Sequence, residues 1–212
     1  MGTLKPTWLT FSDFTPLSSA NDIAGKKILV VNMAGFLDFN TKFVADSFEK
    51  YGAECRISSI NLPELERLRI SPTEMRSTNI ARVLENEKTL EALILELTGK
   101  ISGFDIVALP AVFGLSSAAS VKKLKESLDI PVWLIPTMPP SVPGIRAQQQ
   151  LRRSFEELGG VYMLGDTVVK ADFSGNKVQA VYSVNHGDIS FVAETLSCFG
   201  QLFQQRIGCA AG

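Results

Sequence analysis

The residues best placed to do chemistry are Ser141, Gly144 and Arg146, within the run Pro136-Thr-Met-Pro-Pro-Ser-Val-Pro-Gly-Ile-Arg. Proline has no backbone N–H and a fixed φ, so the four prolines of this run exclude a helix interior or a central strand and impose a stiff, extended loop. Pro143 and Gly144 suit the opening of a helix, with Arg146 in its first turn. Unsatisfied N–H groups and the positive end of a helix dipole then meet a guanidinium, which is the chemistry that holds a phosphate or a carboxylate. The same residues also suit a plain strand-to-helix connector. A second set is Arg76, Asn79 and Arg82. Asn79 and Arg82 are three apart, so on a helix they share one surface, where they could grip an oxyanion or simply face solvent beside Glu74 and Glu85.

Other chemistries find little support. The single histidine, His186, lies in the turn-like stretch Val-Asn-His-Gly-Asp and cannot build a multi-histidine metal site. No Ser/His/Asp, Cys/His or paired-carboxylate set is visible, so hydrolysis has no candidate and no catalytic residue is assigned. Cys55, Cys198 and Cys209 are odd in number and far apart, which gives neither a disulfide framework nor a zinc spacing. Net charge is −1, which offers no basic face for nucleic acid or anionic lipid. No apolar run is long enough to cross a membrane, and the start lacks a signal core, so a cytoplasmic protein is expected.

The elements that must position these residues follow from hydrophobic patterning. Residues 26–33, 53–60, 104–110 and 130–135 are apolar runs, three of them near-continuous, as strands buried on both faces require. Between them lie amphipathic stretches at 39–51, from Ser71 (with Pro72 and Glu74 as a capping pattern) to Leu84, at 87–100 and at 117–128. Leu62–Glu66 reads as a charged connector. The alternation predicts a Rossmann-like α/β layer with a mostly parallel sheet of about four strands and right-handed crossovers. The turn at Ala34–Asp38 stands where a dinucleotide fingerprint would, but it holds only Gly35, and G-x-G-x-x-G occurs nowhere. After Pro143 the pattern changes. A helix with Ile145, Leu151, Phe155 and Leu158 on one face ends at Gly159–Gly160. A strand at Val161–Leu164 follows, and Val161–Ala171, Lys177–Val184 and Asp188–Ala193, joined by tight polar turns, predict an antiparallel β-meander.

Longer stretches carry a resemblance. Gly2-Thr-Leu-Lys-Pro-Thr-Trp-Leu, Lys27-Ile-Leu-Val-Val, Gly35-Phe-Leu-Asp-Phe, Leu62-Pro-Glu-Leu and Pro110-Ala-Val-Phe-Gly-Leu stand in order with three longer runs. These are Thr73 to Glu87, Pro136 to Arg146, and Gly159-Gly-Val-Tyr-Met-Leu-Gly-Asp. Together the chain resembles the family of B subunits of anaerobic glycerol-3-phosphate dehydrogenase, flavoproteins of the fumarate-reductase-like class. The resemblance spans nearly all of residues 2–196.

It implies oxidation of sn-glycerol 3-phosphate to dihydroxyacetone phosphate, with electrons passed through a flavin (FMN or FAD) to a quinone. It also implies two partners from the same complex, the catalytic A subunit, and the membrane-anchoring iron–sulfur C subunit, which would place the assembly at the inner membrane. Under it, Arg146, Ser141 and Gly144, then Arg82, Asn79 and Arg76, become candidate contacts for the substrate phosphate. The family's glycine loop and its Ala-(Thr/Ser)-Gly-Ser flavin turn are both absent here, so an internal fragment is expected, inactive and flavin-free on its own. Back-translated with permitted codons and read from the second base of the Ser197 codon, Ser197–Cys209 can spell Leu-Ala-Ser-Gly-Ser, which resembles that turn. The tail after about Leu196 is therefore expected to be out of frame and poorly ordered. The expected organisation is an extended lead-in over 1–25, the α/β domain over 26–142, a helix plus meander as a partial flavin-fold unit over 143–196, and the tail over 197–212. The alternative is a non-catalytic Rossmann-like binding or subunit-interaction module.

Overall fold

A computed structural model of the chain describes residues 6–71 and 73–196. The expected out-of-frame tail, and Pro72 of the expected cap, lie outside the described residues.

The chain divides into two compact units, residues 1–153 and 154–212. The first is built on a four-stranded, wholly parallel sheet of β1 (Lys27–Met33), β2 (Glu54–Ile60), β3 (Ile106–Pro110) and β4 (Val132–Ile135), in the order β2-β1-β3-β4. Successive side chains of a strand face opposite sides. Ile28 to Val31 and all five residues of β3 are buried, so both faces of the sheet are covered. The Ile/Val/Leu runs of the sequence are the direct cause.

The connections are helical. Here α1 (Thr41–Glu49) is capped by Asn40, whose side chain accepts from Phe43 N, and it buries Val44, Ala45 and Phe48. Between β2 and β3 stand a 3-10 turn at Pro63–Leu65, α2 (Glu66–Ile70), α3 (Ser77–Leu84) and α4 (Glu87–Thr98), the last capped by Asn86. A fifth helix, α5 (Ala119–Glu126), joins β3 to β4, and α6 (Val142–Glu157) follows β4. Lys123 of α5 reaches Glu87 and Glu91 of α4 at 2.7 and 2.8 Å.

Two local expectations are corrected. The charged stretch after Leu62 is helical rather than a connector, because Leu65 is buried and anchors the start of α2. The capping pattern at Ser71 does not start α3. Glu74 is drawn onto Asn79, whose amide donates to its carbonyl (2.9 Å) and carboxylate (3.0 Å), and the helix begins at Ser77.

The second unit holds the end of α6 and an antiparallel pair, β5 (Val168–Ser174) and β6 (Lys177–Ser183). The expected strand at Val161–Leu164 is not formed. The expected third meander strand is reduced to one bridge, Val181 to Phe191. The division between these units falls between residues 153 and 154, within α6.

Candidate functional site

In an open parallel sheet the ligand crevice lies outside the carboxyl ends of the strands, where the strand order reverses. Here that point is between β1 and β3, and the loops that leave them converge there. Asn32, on β1, donates its amide to the carbonyls of Phe36 (2.7 Å) and Phe39 (3.1 Å). This curls the loop Ala34–Asn40 and buries both phenylalanines. Arg76 Nη1 lies 3.2 Å from both carboxylate oxygens of Asp38, and Asp38 O accepts from Met138 N at 3.2 Å. Ser77 Oγ donates to Pro140 O at 2.6 Å. The proline loop, the β1 loop and the start of α3 are thus braced together. A cavity of about 290 Å³ lies among Gly35, Leu37, Asp38, Thr73, Met75 and Arg76.

The anion cradle expected at the start of α6 is not free. Arg146 is 5% exposed, and its Nη2 sits 2.5 Å from both carboxylate oxygens of Asp13, itself 1% exposed. Its Nη1 donates to the carbonyls of Gly114 and Phe113. Ser141 Oγ accepts from Gly144 N at 3.2 Å, and Ile145 N donates to Ser141 O at 2.9 Å. Pro143 has no N–H to offer. Ser141 and Gly144 therefore cap α6, and Arg146 closes a buried ion pair. The sequence could not show this, because Asp13 lies 133 residues away.

The second set is brought together. Arg82 is exposed, and its Nη1 donates to Asn79 Oδ1 at 3.2 Å. Asn79 in turn is oriented by Glu74. Glu85, the other expected partner, accepts instead from Ser116 N at 2.6 Å. Arg76 is exposed on the cavity rim with Asp38 as its partner. Ala81 of α3 packs with Leu115 and Val142, so this helix lies beside the loop after β3 and the start of α6.

In the second unit the structure gathers a serine, a histidine and an aspartate that sequence spacing did not reveal. Asp166 Oδ2 and Ser183 Oγ both lie on His186 Nδ1, at 2.8 and 2.9 Å. A relay needs the acid on one ring nitrogen and the hydroxyl on the other, so this is not a nucleophile triad. It is a turn clasp. Hydrogen bonds from Ser183, from Asn185 and Thr167 N–H groups and from His186 hold the Asp166 carboxyl down at about 2.

Metal chemistry has no ligand group, and no helix is long and apolar enough to cross a membrane, among the described residues. A flavin would need a glycine-lined cradle for its phosphates. After β1 the only glycine is Gly35, whose missing Cβ would stand 2.7 Å from Arg69 Cγ, and the buried rings of Phe36 and Phe39 occupy the loop. The α/β unit does not fit a flavin at this position.

Comparison with known proteins supplies the family. The sequence profile described as "FAD binding domain" matches residues 1–207. The B subunit of anaerobic glycerol-3-phosphate dehydrogenase from Yersinia enterocolitica is 38% identical over 208 residues, which is 98% of this chain and 49% of that protein. The B subunits from Pectobacterium atrosepticum (38% over 194 residues, 92% and 46%) and Yersinia pestis (35% over 208 residues, 98% and 49%) align likewise. The chain thus spans about half the length of the relatives it matches. No solved structure matches it. With a parallel α/β layer, an appended antiparallel pair and a profile match over nearly its whole length, the chain belongs to the FAD binding domain family and is similar to the B subunits of anaerobic glycerol-3-phosphate dehydrogenase.

Proposed function

We propose that the chain is a component of a flavin-dependent dehydrogenase that oxidises sn-glycerol 3-phosphate to dihydroxyacetone phosphate and passes the electrons to a quinone. In such an enzyme the cofactor carries the redox step and the protein binds and orients. The similarity to these B subunits over 98% of the chain carries this reading. The α/β unit binds the substrate phosphate at the exposed end of α3, with Arg82 supplying charge, Asn79 orienting it and Arg76 at the cavity rim. Ser141 and Gly144 shape the neighbouring loop. Arg146 contributes by holding that loop, since its donors are engaged. The flavin is held by residues that these 212 do not include, and partner subunits bring the assembly to the membrane.

Titration of the purified chain with glycerol 3-phosphate, followed by NMR, tests the site. Shifts are expected at α3 and at residues 136–144. Arg82→Ala should weaken binding by about tenfold, the loss of one charge-assisted hydrogen bond. Saturable shifts elsewhere, or none, reject the assignment. The alternative reading, a non-catalytic binding or subunit-interaction module, predicts no phosphate-dependent shifts and no dye reduction with glycerol 3-phosphate when its partners are supplied.

A further inference from the structure

The loop leaving β1 holds a carboxylate at the cavity beside α3, and stability alone does not account for it. Asp38 stands between the exposed Leu37 and the buried Phe39, and its side chain is 18% exposed. Its backbone is pinned on both sides: Asn32 donates to the carbonyls of Phe36 and Phe39, and Met138 N donates to Asp38 O. The contact with Arg76 adds little to that hold, because an ion pair whose arginine is half exposed contributes weakly in water. Each carboxylate oxygen accepts one bond from Arg76 Nη1, at 3.2 Å, and a carboxylate oxygen can accept two. Asp38 thus presents fixed acceptor positions at a cavity wall, which is what a ligand hydroxyl needs.

Charge then sets which end of a ligand goes where. At Arg76 the guanidinium is balanced by Asp38, so this corner offers a phosphate no net positive charge. Arg82, by contrast, donates to the neutral amide of Asn79. The two arginines are six residues apart on α3 and its cap, about 9 Å along a helix, which a three-carbon phosphate and the long Arg82 side chain can span together. Leu37 and the buried Met75 wall the cavity and suit a carbon chain. We propose, resting on the phosphate site given above, that Asp38 selects the hydroxylated end of the substrate. Its carboxylate accepts from the glycerol hydroxyls in the cavity of about 290 Å³, while the phosphate lies at Arg82. Asp38 thereby separates a polyol phosphate from a plain alkyl phosphate.

Two ligands of equal charge and carbon count test this: glycerol 3-phosphate and 1-propyl phosphate, titrated into the purified chain and followed by NMR at the amides of α3 and residues 136–144. Glycerol 3-phosphate is expected to bind at least tenfold tighter, the worth of one charge-assisted hydrogen bond. The Met138 amide, which donates to Asp38 O, should shift with it and not with propyl phosphate. Asp38→Ala should bring the two affinities within twofold of each other. Asp38→Asn, which keeps the shape and one acceptor oxygen, should leave an intermediate preference. Equal binding of the two ligands by the parent chain overturns the proposal without any variant and leaves the phosphate site standing. An Asp38→Ala chain that weakens both ligands alike also overturns it, since a purely structural residue would do the same. Binding of neither ligand removes the functional reading, and the role of Asp38 with it.

Discussion

Breaking the Asp13–Arg146 pair should destabilise the α/β unit far more than it should affect any ligand. Both side chains are at most 6% exposed, so neither charge can be rescued by water. Arg146→Met strands the Asp13 carboxylate, whose partner among the described residues is Arg146. The penalty for an unpaired buried charge puts this loss at about 4 kcal/mol. Asp13→Ala leaves the guanidinium with the carbonyls of Phe113 and Gly114, so about 3 kcal/mol is expected. The double variant Asp13→Leu/Arg146→Met replaces the pair by apolar groups and should lose less than about 3 kcal/mol, far short of the about 7 kcal/mol to which the single changes would add. Urea unfolding followed by fluorescence reads this out. Trp133 is buried edge-on against Phe48 at 5.9 Å and reports the core, whereas Trp8 is 95% exposed. If Arg146→Met unfolds within about 0.5 kcal/mol of the parent, the range of an ordinary surface change, the pair is not structural and the reasoning fails.

Further expectations follow from single residues. The Asp166 carboxyl is held at about 2, below its ordinary 3.8, chiefly by Ser183. The clasp therefore contributes fully above pH 3.8 and is lost as pH falls from there through about 2. Amide exchange at Thr167 and Asn185 should accelerate in that window, and Ser183→Ala should move the onset to higher pH. Burial, with Glu49 nearby, pushes the Cys55 thiol up to about 11, so at pH 8 it should alkylate on the order of a hundredfold more slowly than a free thiol, as peptide mass spectrometry would show. Gly114 has φ +68°, and a Cβ there would stand 2.4 Å from Ser117 O and 2.7 Å from Arg146 Nη1. Gly114→Ala should cost about 2 kcal/mol or more in the same urea assay and loosen the Arg146 seat.

The sheet was legible because burial on both faces writes continuous Ile/Val/Leu runs, and β1 and β3 carry such runs. The helices were legible from their apolar stripes, except α2, whose five residues are too few to show a period. Local rules misled where a distant partner decides. Glu74 could serve a cap at Ser71 or bond Asn79, and the second outcome moves the start of α3. Val161–Leu164 has strand composition, but Val161 and Leu164 are exposed and, among the described residues, no strand pairs with the segment. The site residues show the same division. Asn79 and Arg82 meet because helical spacing brings them together, and sequence suffices for that. The fate of Arg146 depends on Asp13, and the Asp166–Ser183–His186 clasp on a hairpin closing, which residue types alone do not encode.

The outer strand β2 has a further bearing on how the molecule can associate. It lies at the rim of the sheet with Glu54, Arg56, Ile57 and Ser59 exposed, and Arg56 is drawn over the Phe104 ring at 5.9 Å. Unpaired backbone at a rim invites another chain to extend the ladder, and alternating charge is the usual deterrent. Fibrillar growth from this border is therefore disfavoured, and concentrated solutions of the α/β unit should remain free of cross-strand polymers at neutral pH.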